Sequence, residues 1–78
     1  MNFIEMKAPF HDIKMWGSRM GNFTFMIVYE PKEGTGHGYT ASWKNVLVPS
    51  KSNFIGSNFD SFEDAKRACE AKAKEFKQ

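Results

Sequence analysis

Residues 60–78, DSFEDAKRACEAKAKEFKQ, carry the clearest periodic pattern in the chain. Phe62, Ala65, Cys69, Ala73 and Phe76 recur at helical spacing and line one narrow stripe. This pattern predicts a helix over residues 60–77. The stripe has bulky residues at its ends and small ones between them, so large side chains from another element, expected to be a sheet, must fill the space over the small residues.

The start of this helix is marked by capping residues. Asp60 or Ser61 can accept a hydrogen bond from the first turn, and Glu63 or Asp64 follows three residues later, as in a capping box. We therefore place the helix start within a residue of this position.

The rest of the chain alternates apolar and polar residues in short segments, as half-buried strands do. Strands are predicted at 13–16, 23–29 and 39–47, with 53–55 as a short fourth, and turns or loops at 17–22, 31–38 and 49–52. Residues 1–10 are interpreted as irregular or as a short edge strand. This order predicts an α+β fold, an antiparallel three- to four-stranded β-meander with one C-terminal helix packed on one face, in a single domain over residues 1–78.

The alternation assigns strand residues to two faces of the sheet. The inner face, which meets the helix, is expected to hold Ile13, Met15, Phe23, Phe25, Ile27, Tyr29, Tyr39, Ala41 and Trp43. The other face is expected to hold Lys14, Trp16, Thr24, Met26, Val28, Thr40, Ser42 and Lys44. This second set contains no acid, and one helix cannot cover it, so it is exposed to solvent or covered by a partner.

Composition narrows the class of protein. A chain of 78 residues with one cysteine forms one small domain without an intramolecular disulfide, and 15% aromatic residues make dense packing its expected source of stability. The N-terminal residues resemble neither a signal peptide nor a membrane span, so we expect a cytoplasmic protein. The net charge of +2 permits nucleic-acid binding without indicating it.

Catalytic chemistry has little support. His11, Asp12, His37 and Cys69 are the only candidates for a metal or nucleophilic site, and they are scattered along the chain. The glycines of residues 33–38 precede a strand, whereas a phosphate-binding loop opens a helix, so they indicate a hairpin loop that could still act as a recognition tip. We expect no enzyme activity, no cofactor and no metal.

The second face gives the candidate partner-binding residues, which are Lys14, Trp16, Arg19, Met26, Ser42 and Lys44. Trp, Met and Arg are enriched at protein interfaces. Aromatic rings beside cations also suit single-stranded nucleic acid, but two lysines and one arginine neutralise few phosphates. Two further readings remain, in which the face closes a homodimer or Trp16 folds over the sheet edge and nothing binds.

The layout from residue 13 onward resembles that of small phage and prophage proteins with a β-meander and a terminal helix. The resemblance is carried by Trp16, the run NFTFMIV at 22–28, GYTASW at 38–43, and FDSFEDAK at 59–66 that leads into the helix. Proteins of that kind include anti-restriction and anti-CRISPR inhibitors, many of them strongly acidic DNA mimics. The charge of +2 departs from that pattern, so the resemblance implies inhibition by covering a protein surface.

These observations together predict a small non-enzymatic binding protein of phage or mobile-element type that inhibits a host protein complex, such as one of nucleic-acid-directed defence, by steric occlusion. A single-stranded nucleic-acid-binding module and a homodimerising structural protein are the alternatives.

Overall fold

The structure is a computed structural model that describes residues 1–7, 12–32, 36–48 and 50–76. It contains five strands, β1 (Ile4–Met6), β2 (Lys14–Met20), β3 (Phe23–Lys32), β4 (Gly36–Asn45) and β5 (Ser52–Phe59), followed by one helix, α1 (Phe62–Phe76). The strands pair antiparallel in the order β1-β2-β3-β4-β5. The predicted α+β meander with a C-terminal helix is confirmed, with five strands in place of three or four.

The extra strand is β1, which pairs with β2 along the edge of the sheet. It lies within the segment interpreted as irregular or a short edge strand. Three residues are too few to show an alternating pattern above the background, so the sequence alone left both interpretations open. The predicted fourth strand at 53–55 is also present, and β5 is longer than expected because two register shifts let it follow β4 as far as Phe59.

The inner face of the sheet packs on α1, which contacts β3, β4 and β5. Phe25, Ile27 and Ala41 from the sheet and Ala65 and Cys69 from the helix are fully buried. The small residues of the helix stripe thus leave room for a phenylalanine and an isoleucine from the strands. This is the arrangement that the shape of the stripe predicted.

Aromatic rings pack around both ends of the helix. At its start, Phe62 contacts Trp16 and Phe3, with ring centroids 4.9 and 5.8 Å apart. At its end, Phe76 stacks on Phe23 at 4.4 Å and meets the edge of Trp43 at 4.7 Å. Because aromatic pairs contribute about 0.5–1.5 kcal/mol each beyond their buried area, these clusters fix both ends of α1 on the sheet.

The helix begins where the capping pattern placed it. The Asp64 N–H donates to Ser61 Oγ at 3.1 Å, and the Ala65 N–H donates to the Ser61 carbonyl at 3.2 Å. Ser61 is therefore the N-cap, and the first helical residue is Phe62, two residues later than the start of the predicted range.

The phase predicted for β2 is wrong. Trp16 lies opposite Ile27, on the inner face, and Met15 lies opposite Val28, on the other side of the sheet. Ile13 precedes the strand. The short prediction at 13–16 offered only two residues on each face, whereas the strand continues to Met20, and burial of the large indole among Phe62 and Tyr39 decides the phase.

Two connections are shorter than predicted. Residues 17–20 belong to β2, and the turn to β3 is Gly21 and Asn22, with Gly21 at φ +59° in the first position, as in a type II′ turn. The predicted loop at 31–38 is largely strand, because Pro31 pairs with His37 beyond the point where β2 begins. Among the described residues only β4 pairs with β3 there, and a proline is tolerated on a strand edge.

Within the described residues, α1 is too short and too polar to cross a membrane, and the structure holds no other helix there. Since α1 lies on one side of the sheet, no helix or strand among the described residues covers the opposite side.

Candidate functional site

The uncovered side of the sheet, called the outer face below, is organised by the strand register into three rows. Residues directly opposite each other in an antiparallel sheet share a face. The central row crosses all five strands, the second row crosses four strands toward one end, and the third crosses four strands toward the other. The rows are Ile4, Gly17, Met26, Ser42 and Phe54; Met6, Met15, Val28 and Thr40; and Arg19, Thr24, Lys44 and Ser52.

Large apolar side chains on this face are open to solvent. Ile4 is 73% exposed, Phe54 68% and Met6 44%, while Met26 and Val28 between them are half-buried by their neighbours. Single exposed apolar residues are common on protein surfaces, but a contiguous group of this kind marks a site of contact with another molecule. Ile4 and Phe54 stand at opposite ends of the central row, with Gly17, Met26 and Ser42 between them.

Gly17 shapes the middle of the outer face. A Cβ atom at this position would lie 2.7 Å from Met6 Sδ, so the Met6 side chain occupies the space that the glycine leaves open. Methionine adapts readily to a partner because its unbranched side chain has three rotatable bonds. With Met15 and Met26 beside it, Met6 gives this face an adaptable apolar centre.

The cations of the outer face lie together at one end. Arg19 and Lys44 flank Thr24 in the third row, and the Arg19 Nε–H donates to the Gly21 carbonyl at 3.0 Å. No acid occupies any of the row positions, and Glu30 pairs with Gly38 in the part of the hairpin beyond β2. In the part of the chain that the structure describes, ion pairs involve the Met1 amine, Arg67 and Lys72, and neither Arg19 nor Lys44 takes part in one.

A groove of about 750 Å³ continues this face around the edge of the sheet. It opens beside the first residue of β1 and lies between the N-terminal residues, β2 and the last turns of α1. Ile4, Gly17 and Arg19 line it from the sheet, and Ala73 and Lys74 line it from the helix. The Met1 amine closes one side through its contact with the Glu70 carboxylate at 3.3 Å.

Four of the predicted partner-binding residues, Arg19, Met26, Ser42 and Lys44, lie together on the outer face. The other two do not. Trp16 is half-buried against Phe62 on the inner face, and Lys14, opposite Tyr29, is exposed at the start of β2 in line with that face. Lys14 and Trp16 were placed on the outer face because the predicted phase of β2 was wrong.

The sequence prediction did not include Ile4, Met6 and Phe54 among the outer-face residues, and it placed Met15 on the inner face. Ile4 and Met6 flank Glu5 in an alternating segment that is too short to be assigned to a face. Phe54 is followed directly by the apolar Ile55, so alternation does not indicate which of the two faces the helix.

The residues considered for catalysis or metal binding do not form a site in the described structure. Cys69 is fully buried under the sheet, whereas Asp12 is exposed just before β2. His11 and the His37 side chain lie outside what is described. Among the described residues, no three His, Cys, Asp or Glu side chains are grouped to hold a metal ion.

Burial raises the pKa of the Cys69 thiol to about 11, with a further contribution from the neighbouring Glu70 carboxylate. The thiol is consequently protonated at neutral pH. A protonated, buried thiol is a weak nucleophile and a poor metal ligand, so Cys69 serves the packing of α1.

No family model, curated protein or solved structure matches this chain.

Proposed function

We propose that this chain is a small non-enzymatic binding protein that inhibits a host protein or protein complex by laying the outer face of its sheet on it. The single observation that carries the proposal is the exposure of three large apolar side chains, Ile4, Met6 and Phe54, on a face that no element of the described chain covers. An inhibitor of this kind needs no reaction chemistry, because occupying the partner's surface is enough.

The composition of the face suits a protein partner. Three methionines, Met6, Met15 and Met26, lie on it, and its two cations lie in one outer row, which resembles the apolar core and polar rim of protein interfaces. Phe54, exposed and at the end of the central row, is the natural anchor, since buried aromatic side chains dominate binding energy at such interfaces.

Origin in a phage or another mobile element, action in the host cytoplasm, and a defence complex as the target belong to this proposal. They come from the resemblance of the sheet-and-helix layout and its helix entry at 59–66 to small phage and prophage proteins, some of which inhibit host defence. The small positive net charge of +2 favours contact with a protein over imitation of DNA.

Single-stranded nucleic acid is the second candidate, favoured by Phe54 as a stacking platform near Lys44. It is the weaker one. Trp16, the ring first considered for stacking, packs inside the molecule, and Arg19 and Lys44 are the only cations at the row positions. Two contacts to phosphate give weak binding at physiological salt.

The test is recovery of a partner from nuclease-treated host lysate by the tagged protein and by its Phe54→Ser variant. We expect a protein that resists nuclease treatment, is lost in the variant, and loses its own activity when the wild-type chain is added in stoichiometric amount. Recovery that persists in the Phe54→Ser variant would contradict the use of this face, and recovery of nucleic acid alone would favour the second candidate.

The matched control for this experiment is Arg67→Glu. Arg67 is a cation on the exposed side of α1, paired with Asp64 at 3.6 Å, on the opposite side of the molecule from the outer face. It tests whether any surface change lowers recovery, and we expect it to recover the partner as well as the wild type does.

A further inference from the structure

We infer that the partner of the outer face is a protein surface with an apolar centre and carboxylate groups at one side, where they meet Arg19 and Lys44. This inference rests on the proposed function and adds the chemistry of the partner. Three features of the outer face support it, which are the position of its cations, its small area and the lack of acids at its row positions.

The charges are placed asymmetrically. Arg19 and Lys44 lie in the row nearest the turn between β2 and β3, and the row at the opposite end, from Met6 to Thr40, contains no charge. A partner that covers the apolar residues of this face also places some of its own side chains in contact with Arg19 and Lys44. Because neither cation has an ion pair within the described chain, carboxylates of the partner would pair with them without displacing an existing ion pair.

Because the outer face is small, charge contributes strongly to how fast and how specifically it binds. Five strands about 4.8 Å apart and three rows about 7 Å apart give an area on the order of 300–400 Å². A stable interface buries about 800 Å² on each partner, so the flat face alone provides about half of that area. Complementary charge raises the association rate and the specificity of such a small contact.

The groove beside Ile4 and Gly17 extends the area and its charge. Arg19 stands between the outer face and the groove, and Lys74 stands on the far wall. The groove also holds the Met1 amine and the Glu70 carboxylate, which pair with each other, so Arg19 and Lys74 leave its charge positive. An acidic segment fits this groove better than a basic one.

A second copy of the chain is a poor occupant for the same reason. Two outer faces brought together by a twofold axis would place Arg19 and Lys44 of each copy against a surface whose row positions hold no acid. Burying a cation without a partner costs several kcal/mol. The apolar area of one face is too small to offset that cost and still hold a dimer together.

The inference is tested with a library of random dodecapeptides selected on three immobilised proteins, the wild type, the double variant Arg19→Glu/Lys44→Glu, and Phe54→Ser. We expect wild-type binders that combine apolar residues with Asp or Glu, a reversal to Lys or Arg on the double variant, and at least about tenfold weaker binding of the wild-type peptides to Phe54→Ser. Arg67→Glu, checked for folding with the other variants by circular dichroism, should select the same peptides as the wild type.

Two results separate this inference from the proposed function. Peptides that need Phe54 but show no preference for charge, on either the wild type or the double variant, would overturn the inference and leave the proposed function standing. Failure of the wild type to select any peptide that depends on Phe54 would overturn the inference, while the lysate experiment continues to decide the function.

Two further probes, an oligothymidine and vesicles of phosphatidylglycerol, cover the other anionic partners. We expect binding to both to be weaker than to the selected acidic peptides at physiological salt. Tighter binding to either probe, lost in Arg19→Glu/Lys44→Glu, would show that the cations serve a nucleic acid or a membrane and would overturn the inference.

Discussion

Gly17 and Gly38 show how much the role of one residue depends on what surrounds it. A Cβ atom at either position would come closer than 3.0 Å to a neighbouring atom. At Gly17 that atom is the sulfur of Met6, the far end of a flexible and partly exposed side chain. At Gly38 it is the Cα atom of Asn58, whose backbone is held at φ +59°.

We therefore expect opposite outcomes for the same substitution. Gly17→Ala should change the free energy of unfolding by less than about 1 kcal/mol, because Met6 can move aside and alanine suits a strand better than glycine does. Gly38→Ala should lower it by about 1–3 kcal/mol, because a strand backbone must shift. Urea denaturation of both variants measures the difference, and equal effects would contradict the close approach of β4 and β5 at Gly38.

Cys69 gives a second prediction at this scale, on pH. Burial raises its pKa from 9.0 to about 11 in the folded protein, so the thiol loses its proton more readily in the unfolded chain. The stabilisation is complete below pH 9 and is lost as the pH rises toward 11. The loss is on the order of 2 kcal/mol, since one pKa unit corresponds to about 1.4 kcal/mol.

The measurement is the free energy of unfolding between neutral pH and pH 11 for the wild type and for Cys69→Ala. Subtracting the variant removes the contributions of other groups that titrate in this range. A wild type and a variant that lose stability in parallel would show that the thiol is not buried as described.

At the scale of elements, the helix could be predicted well and the strands only in part. The stripe from Phe62 to Phe76 repeats over four turns, and a serine marks its start, so periodicity and capping agree. In β2 the alternation is interrupted by Gly17 and Ser18, and four residues were too few to fix its phase. The error moved Trp16 to the wrong face, where it looked like a binding residue.

Aromatic packing at the helix ends should dominate stability. Phe62→Ala is expected to lower the free energy of unfolding by about 2–4 kcal/mol, because the ring contacts Trp16 and Phe3 at once. Phe54→Ala, the same change at an exposed ring, should change it by less than about 0.5 kcal/mol. Denaturant unfolding of the two variants is the test, and a large effect at Phe54 would indicate that the outer face is covered in the free protein.

Trp16→Ala belongs with this group. Because the indole packs on Phe62 and Tyr39, its removal should destabilise the fold by an amount similar to that of Phe62→Ala. Chemical denaturation monitored by far-ultraviolet circular dichroism measures this. A Trp16→Ala variant that is as stable as the wild type but binds the partner more weakly would indicate that Trp16 lies on the outer face.

For the molecule as a whole, the composition of the outer face depends on how distant strands pair, and local sequence patterns do not reveal that pairing. Ile4, Gly17, Met26, Ser42 and Phe54 come from five separate strands, and only the pairing of those strands puts them in one row. Arg19, Met26, Ser42 and Lys44 were identified because their strands or turns gave clear patterns. Ile4, Met6 and Phe54 could not be, because a one-residue slip in a short strand exchanges the two faces.

The same face sets the expected oligomeric state. Since the outer face carries cations and no acid at its row positions, we expect the free chain to sediment at its monomer mass of 9.0 kDa at micromolar concentration. Analytical ultracentrifugation measures this mass. A dimer that dissociates on Phe54→Ser would show that a second copy occupies the face.

The most direct measurement is the affinity of the recovered partner for four proteins under one salt condition, the wild type, Phe54→Ser, Arg19→Glu/Lys44→Glu and Arg67→Glu. If the outer face binds the partner, Phe54→Ser and the double variant should each weaken binding by about tenfold or more, a difference of about 1.4 kcal/mol, while Arg67→Glu on the helix keeps the wild-type affinity. Loss of binding in Arg67→Glu with full binding in Phe54→Ser would place the interface on α1 and contradict the account.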